Sequence, residues 1–368
     1  MRIAVLSFAH VHAAAYIRLL RDHADVELVT ADPDAPPGDP DRGPTLAERL
    51  GAPYAATLDE VFATPLDAAV ITSENSRHRE LVERAATAGA HVLCEKPLAT
   101  TEADAQAIVA VCARAGVSLM TAYPVRFAPA FAALRAALED GRLGRLVAVH
   151  GTNNGWNPAR SRPWFGDREL AGGGAVMDHT VHLADLMDVL LGGEPAEEVY
   201  AQANTVLDAD LGLDVETAGL VTVRYPSGVT AAVDCSWSQP AHHPTWGGLT
   251  LTCVGERGIV EFDAFPRLLG GFDETAGRDR WEPGGDDLDA AMLDEFLDAC
   301  RTGRRPRPDG EAGLRTLRIV LAAYESLRRG QPAPLSADPL PDRTGGGASA
   351  EESGRRAFPV PPRGAVPD

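Results

Sequence analysis

The sequence predicts an α/β fold, with an N-terminal Rossmann-type, doubly wound parallel sheet and a C-terminal α+β domain whose open sheet is mostly antiparallel. Over roughly the first 120 residues, short apolar runs without polar alternation are separated by helical patterns, as in a parallel sheet buried on both faces. From about Gly144, strand patterns are separated by tight turn signals such as Pro226-Ser227-Gly228, which indicate antiparallel pairing.

The individual elements follow from these patterns. The apolar runs of the first part, predicted as parallel strands, are RIAVLSF, VELVTAD, DAAVITS, HVLCEKP and VSLMTAY, and helices are expected near 11–21 and 101–115. Two further helices, near 286–302 and 310–329, close the second part. We expect a dinucleotide-binding domain over 1–124 and a substrate and oligomerisation domain over 125–335. The segment 336–368 is rich in Pro, Gly, Ser and Asp, and we expect it to be disordered.

Charge and cysteine content exclude several classes of partner. The 368 residues include 34 basic and 53 acidic ones, a formal charge of −19, which disfavours nucleic acid and anionic membrane surfaces. The five cysteines are scattered, without C-x-x-C spacing, and are typical of reduced thiols in a cytoplasmic protein. No apolar run approaches the length of a membrane span.

The first strand leads into a candidate phosphate loop that lacks the usual glycines. In place of G-x-G-x-x-G the chain has Ser7, Phe8, Ala9, His10, Val11 and His12. The functional interpretation is a modified loop whose amides face a pyrophosphate, with His10 or His12 as an added donor. The alternative is that this turn only joins a strand to a helix.

Other strand ends favour the functional interpretation. Asp32 ends the second strand about 20 residues after the loop, where a carboxylate can accept hydrogen bonds from an adenosine ribose. It is followed by Pro33 and Asp34 and not by a basic residue, so we expect NAD rather than NADP. Thr72, Ser73 and Asn75 follow the third strand at the edge of the sheet where ligands bind.

Lys96 is the only lysine in the chain, and it follows the fourth strand. A chain that otherwise uses arginine has kept an ammonium here, and an ammonium can donate a proton near neutral pH whereas a guanidinium cannot. Further along, three glycines precede an apolar helix in which Asp178, His182 and Asp185 share one face. An aspartate one turn before a histidine can orient a general base, although such a pair also occurs as a helix cap beside a core histidine.

Five motifs in this order resemble the Gfo/Idh/MocA family, named after glucose–fructose oxidoreductase and inositol 2-dehydrogenase. They are DAAVITSENSRH, AGAHVLCEKPLA, YPVRFAP, GRLGRLVAV and GGGAVMDHTVHLADL, and the resemblance covers roughly residues 2 to 335. The glycine fingerprint is absent, and Glu74 stands where the family commonly has proline.

The resemblance implies an NAD(P)-dependent oxidoreductase acting on a secondary alcohol or ketone of a sugar, cyclitol or related polyol. Lys96, Asp178 and His182 would form the catalytic cluster, with His182 as proton acceptor, Asp178 orienting it and Lys96 binding the reacting oxygen. The cofactor contacts would extend to His78, Glu95 and Lys96. The substrate side would include Tyr123, Arg126, Asn154, Trp156, Trp164 and His179.

Three expectations complete the interpretation. The family's open sheets suggest a homo-dimer or homo-tetramer. The loop that contains His242, His243 and Trp246 is more typical of solvated histidines than of a metal site, so we expect no metal. The alternatives are an NAD-dependent glycoside-cleaving enzyme on the same fold, and a non-enzymatic sensor or scaffold that has lost cofactor binding.

Overall fold

A computed structural model describes residues 1–243, 247–283 and 285–335, and residues Met1–Leu335 form one compact unit. The first sheet has five parallel strands in the order β2-β1-β3-β4-β5. The strands are β1 (Arg2–Leu6), β2 (Glu27–Ala31), β3 (Ala68–Ile71), β4 (His91–Cys94) and β5 (Leu119–Thr121). The order reverses between β1 and β3, which is where ligands bind in open α/β sheets.

Helices cover both faces of this sheet. They are α1 (Ala13–Asp22), α2 (Gly43–Arg49), α3 (Leu58–Phe62), α4 (His78–Thr87) and α5 (Glu102–Ala115). Alternate residues of β1 enter different cores, because Ile3 and Val5 pack in one apolar cluster while Ala4 and Leu6 pack in another. Burial on both faces is why these strands are apolar throughout. The predicted doubly wound parallel sheet is confirmed.

The second sheet has seven strands in the order β11-β10-β6-β9-β8-β7-β14. All of its pairs are antiparallel except β6–β9, so the predicted mostly antiparallel sheet is confirmed. Its strands are β6 (Leu146–Trp156), β7 (Glu198–Asn204), β8 (Ala218–Arg224), β9 (Thr230–Gln239), β10 (Gly247–Gly255), β11 (Gly258–Asp263) and β14 (Ala333–Pro334). A separate hairpin contains β12 (Arg267–Asp273) and β13 (Arg278–Pro283).

Helix α8 (Ala175–Leu190) covers one face of the second sheet. The remaining helices of this part are α6 (Pro129–Glu139), α7 (Arg168–Ala171), α9 (Leu288–Thr302) and α10 (Gly310–Arg329). Helix α9 packs against α1, and its Phe296 enters the same apolar cluster as Ile3. The predicted domain boundary near residue 124 therefore stays a prediction, because α9, from the C-terminal part of the chain, packs against the first sheet and its helix α1. Trp246 and the segment 336–368 lie outside the described residues.

Helix α8 begins at a tightly packed point. A Cβ on Gly173 would lie 1.8 Å from Oη of Tyr324, and one on Gly174 would lie 1.9 Å from the backbone oxygen of Glu216. The Glu216 carboxylate accepts hydrogen bonds from the N–H groups of Gly174 and Val176, at 2.9 and 3.0 Å. These contacts seat the first turn of α8, because a carboxylate at a helix N-terminus satisfies unpaired N–H groups.

No helix within the described residues is both long enough and apolar enough to cross a membrane.

Candidate active site

The phosphate loop keeps the backbone of a glycine turn without its glycines. Ser7 has φ +69°, a left-handed conformation that costs a non-glycine residue about 1–3 kcal/mol. The loop is held to β3, because His10 donates its N–H to the Thr72 carbonyl (2.9 Å) and the Thr72 hydroxyl donates to the Ser7 carbonyl (2.6 Å). The tight turn after β1 is therefore formed, at a conformational cost that glycine would avoid.

Several residues that were predicted to contact the cofactor have side chains buried inside the protein, beneath the loop. The side chains of Phe8 and Ala9 are fully buried, so these residues can offer a ligand only their backbone. Val11 packs against the apolar cluster around Trp164. Thr72 and Ser73 are also fully buried, and their hydroxyls bond to backbone carbonyls. These side chains therefore support the loop from inside the protein, and the contacts of these residues with the cofactor stay a prediction.

The side chains of Asn75 and His78 are also held by hydrogen bonds inside the protein. The Asn75 amide donates to the Ala171 carbonyl at 2.9 Å, which links the end of β3 to α7. His78 is fully buried, with Nδ1 3.0 Å from the Pro97 carbonyl. It supports the Glu-Lys-Pro turn from inside, and its contact with the cofactor stays a prediction.

Asp32 occupies the predicted strand end but has a basic partner. Arg42 donates to both of its oxygens, at 3.0 and 2.7 Å, and also approaches Glu74 at 3.4 Å. Arg77 pairs with Asp34 at 2.7 Å. The carboxylates of Asp32 and Asp34 are therefore each paired with an arginine, and the expected preference for NAD over NADP stays a prediction.

Lys96 and Asp178 meet in a buried pair. The ammonium lies 2.5 Å from Oδ1 of Asp178 and 3.2 Å from its backbone oxygen, and Lys96 is 3% exposed. The other carboxylate oxygen accepts a hydrogen bond from Nε1 of Trp237 at 3.0 Å. Burial opposes ionisation of Asp178, but Lys96 and His179 hold the pKa of its carboxyl well below the usual value. Asp178 is therefore ionised across the neutral range.

His182 lies one turn further along α8 and is not oriented by Asp178. Both Asp178 oxygens are engaged elsewhere, and Nε2 of His179 lies 3.2 Å from one of them. Nδ1 of His182 is buried without a hydrogen-bond partner among the described residues. Burial and the nearby Lys96 charge place the pKa of His182 well below 6.5, so the imidazole is neutral. A neutral ring with an unpaired nitrogen can accept a proton.

Most of the predicted substrate residues have internal partners. Fully buried His179 bridges the Asn153 carbonyl (2.8 Å) and Asp178, so it supports the carboxylate. Arg126 is paired with Asp185, whose pKa is raised by burial to about 6. The hydroxyl of Tyr123, which is 1% exposed, lies 2.6 Å from that of Thr316.

The other predicted substrate residues are two tryptophans and one asparagine. Nε1 of Trp164 donates to the Ala9 carbonyl at 3.0 Å, so this ring supports the phosphate loop. Asn154 donates to the Ser236 hydroxyl at 2.8 Å. Since side chains alternate along β6 and Gly151 abuts α8, Asn154 lies on the opposite sheet face. Trp156 is partly buried, and its Nε1 lacks a partner among the described residues.

The comparisons with known proteins agree with this geometry. Residues 8–123 match a model described as the oxidoreductase family, NAD-binding Rossmann fold, and residues 131–261 match the GFO/IDH/MocA C-terminal domain. The 1,5-anhydro-D-fructose reductase of Ensifer adhaerens is 38% identical over 308 residues, covering 79% of this chain and 89% of that protein. The chain belongs to the Gfo/Idh/MocA family.

Two further similarities fit this Gfo/Idh/MocA membership. The myo-inositol 2-dehydrogenase of Thermotoga maritima is 34% identical over 302 residues, covering 78% of this chain and 86% of that protein. A solved structure, GenD2 from gentamicin A biosynthesis in complex with NAD, shares the fold with a TM-score of 0.81 at 24% identity, covering 92% of this chain and 97% of that one. As a family member, the protein is an NAD(P)-dependent oxidoreductase.

The Gfo/Idh/MocA site residues fit a nicotinamide dinucleotide. The left-handed turn at Ser7 is preserved, Asp32 ends β2, and Lys96 follows β4 beside Asp178. Sequence reasoning missed Trp237, which donates to Asp178, and Arg42, which covers Asp32. No local signal identifies either one, because Trp237 is 59 residues from Asp178 and Arg42 reaches Asp32 through a folded loop.

Proposed function

We propose that this protein interconverts a secondary alcohol and a ketone on a sugar, cyclitol or related polyol, with NAD as the hydride carrier. The observation that carries the proposal is the buried Lys96–Asp178 pair with neutral His182 one turn away. A scaffold would gain nothing from a buried ion pair beside an unpaired imidazole, since burying such groups costs free energy. The names of the two relatives above support the substrate class.

His182 would accept the proton of the substrate hydroxyl. Its pKa lies well below 6.5, so at neutral pH it is in the unprotonated form that a base requires. Nε2 would take this proton, because Nδ1 is buried. The role assigned to Asp178 changes: it holds the Lys96 ammonium and does not orient His182.

Lys96 would bind the reacting oxygen. An ammonium has three N–H donors, and two of them are directed at the side chain and the backbone oxygen of Asp178. The third donor would stabilise the charge that develops on the substrate oxygen. Trp237 and His179 hold the Asp178 carboxylate, and thereby fix where that ammonium lies.

The nicotinamide ring supplies the hydride acceptor when the dinucleotide is bound. The backbone of the Ser7–His12 loop would face the pyrophosphate, and Asp32 would face the adenosine ribose. We propose NAD as the preferred form, with NADP also accepted, since Arg42 offsets the charge of Asp32.

We also propose a cytoplasmic homo-dimer or homo-tetramer that binds no nucleic acid. All five cysteines are free, and four of them are buried. Leu220 and Ile259 are 51% and 64% exposed on strands of the second sheet, and Tyr200 is 37% exposed on β7. A second copy that covered this apolar surface would gain free energy. Light scattering of the purified protein measures the assembly directly.

A substrate panel tests the proposed activity. Sugars and inositols are incubated with the protein and either NAD or NADP, and reduced nicotinamide is measured by absorbance. Formation of reduced cofactor with at least one polyol, together with the matching ketone, is expected. Cleavage of a glycoside without net reduced cofactor would instead identify the glycoside-cleaving alternative, and product analysis distinguishes the two.

A further inference from the structure

Two histidines of the phosphate loop and one glutamate of the Glu-Lys-Pro turn form a compact cluster. One ligand atom from each of His10, His12 and Glu95 lies within 4.8 Å of the others. Nδ1 of His12 is 3.0 Å from Oε1 of Glu95, and Nδ1 of His10 is 3.7 Å from the same oxygen. His10 and His12 follow β1, and Glu95 follows β4, so the cluster joins the loops after two strands of the first sheet.

The donor set and spacing suit a divalent transition metal. Two imidazoles and one carboxylate are ligands that Zn²⁺ accepts, with further positions left open. Ligands about 2.1 Å from a tetrahedral ion lie roughly 3.4 Å apart. The two separations that involve Oε1 of Glu95 are 3.0 and 3.7 Å, and all three ligand atoms lie within 4.8 Å of one another, so side-chain movements would have to bring the imidazoles to that spacing.

The surroundings hold the ligands in place and leave one of them accessible. His10 is 2% exposed, and its ring packs near Trp164 and Phe165. The Glu95 side chain is fully buried, and its second oxygen accepts the backbone N–H of Lys96 at 3.0 Å. The His12 side chain is 28% exposed, which gives an ion a route to the cluster.

Three existing hydrogen bonds would have to be exchanged for metal bonds. Nδ1 of His12 is hydrogen-bonded to Oε1 of Glu95 at 3.0 Å. The hydroxyl of Tyr16 donates to the same oxygen at 2.7 Å, and the backbone N–H of His12 donates to Nδ1 of His10 at 3.2 Å. The bond to His10 is long, and Glu95 has lone pairs for both a metal and a hydroxyl. The loss of these bonds lowers the affinity of the site for an ion.

We propose that His10, His12 and Glu95 bind a divalent transition metal ion such as Zn²⁺, which joins the phosphate loop to the Glu-Lys-Pro turn. We depart here from the expectation of no metal, which was argued from the loop that contains His242 and His243. The site stands independently of the proposed dehydrogenase activity, because it is measured by binding alone.

Calorimetric titration of the chelator-treated full-length protein with Zn²⁺ tests the proposal. We expect one ion per chain, at least tenfold weaker binding in His12→Gln, and unchanged binding in a His242→Gln/His243→Gln control. Zn²⁺ should raise the melting temperature of the wild type and not that of His12→Gln. Absent binding, or the same binding in His12→Gln as in the wild type, would overturn the proposal.

Cobalt gives a second test that does not depend on the fold of a variant. Co²⁺ in the wild-type protein should show visible bands without the intense near-ultraviolet absorption of a thiolate ligand. A thiolate band would place the ion on a cysteine and contradict the assignment.

Discussion

The ammonium of Lys96 lies 2.5 Å from Oδ1 of Asp178, although the two residues are 82 positions apart in the chain. Strand β4 delivers the lysine, and the first turn of α8 delivers the aspartate. Glu216 and the close-packed glycines fix the position of the first turn of α8. The position of Asp178 relative to Lys96 is therefore determined by the fold.

Lys96→Arg tests whether a compact ammonium is required at this position. The guanidinium keeps the charge but is planar and larger than an ammonium, so it misplaces the donor for the reacting oxygen. We expect kcat to fall by about 10²-fold or more while dinucleotide binding persists. Steady-state kinetics measure turnover, a dinucleotide titration measures binding, and circular dichroism checks that the variant folds. Near wild-type turnover would show that Lys96 has been misassigned.

The pKa of His182 should determine the acidic side of the pH–rate profile. A base must be unprotonated, and burial with the Lys96 charge places the pKa of His182 well below 6.5. The value of kcat/KM should therefore stay level as pH falls through 6.5 and decline only at lower pH. His182→Gln should remove most turnover. An acidic limb centred at 6.5 or above would contradict a buried neutral base.

Trp237→Phe tests the support of the Asp178 carboxylate. Phenylalanine preserves most of the packing but removes the N–H that donates to Oδ2 of Asp178. We expect kcat to fall roughly 5- to 20-fold, the effect of one buried charge-assisted hydrogen bond, with KM for the dinucleotide unchanged. An unchanged kcat in Trp237→Phe would show that this hydrogen bond does not support the carboxylate.

Arg42→Ala tests how the site discriminates between dinucleotides. Removing the guanidinium leaves the buried Asp32 carboxylate unpaired, which repels a ribose 2′-phosphate. We expect the ratio of the NADP to the NAD dissociation constant to rise about tenfold, or about 1.4 kcal/mol. Arg49→Ala removes an exposed arginine paired with Asp41 and should leave the ratio unchanged. A fall in the ratio would mean that Arg42 excludes NADP.

Sequence patterns predicted the features that depend on local order. Continuous apolar runs identified the parallel strands, and the solitary Lys96 together with Asp178 identified the two ends of the buried pair. The long-range partners could not be predicted. Arg42 reaches Asp32 only because the intervening loop folds back. Asn154 was predicted to be a substrate residue, but alternation along β6 does not say which face α8 covers, and Asn154 lies on the other face.

Titration of the purified protein with NAD and NADP most directly tests the central claim, that a glycine-free loop still forms a dinucleotide site. The left-handed Ser7 and the formed turn predict one dinucleotide bound per chain, with NAD bound more tightly than NADP. If neither dinucleotide binds to the folded protein, the Ser7–His12 loop is not a phosphate site and the proposed dehydrogenase mechanism is contradicted.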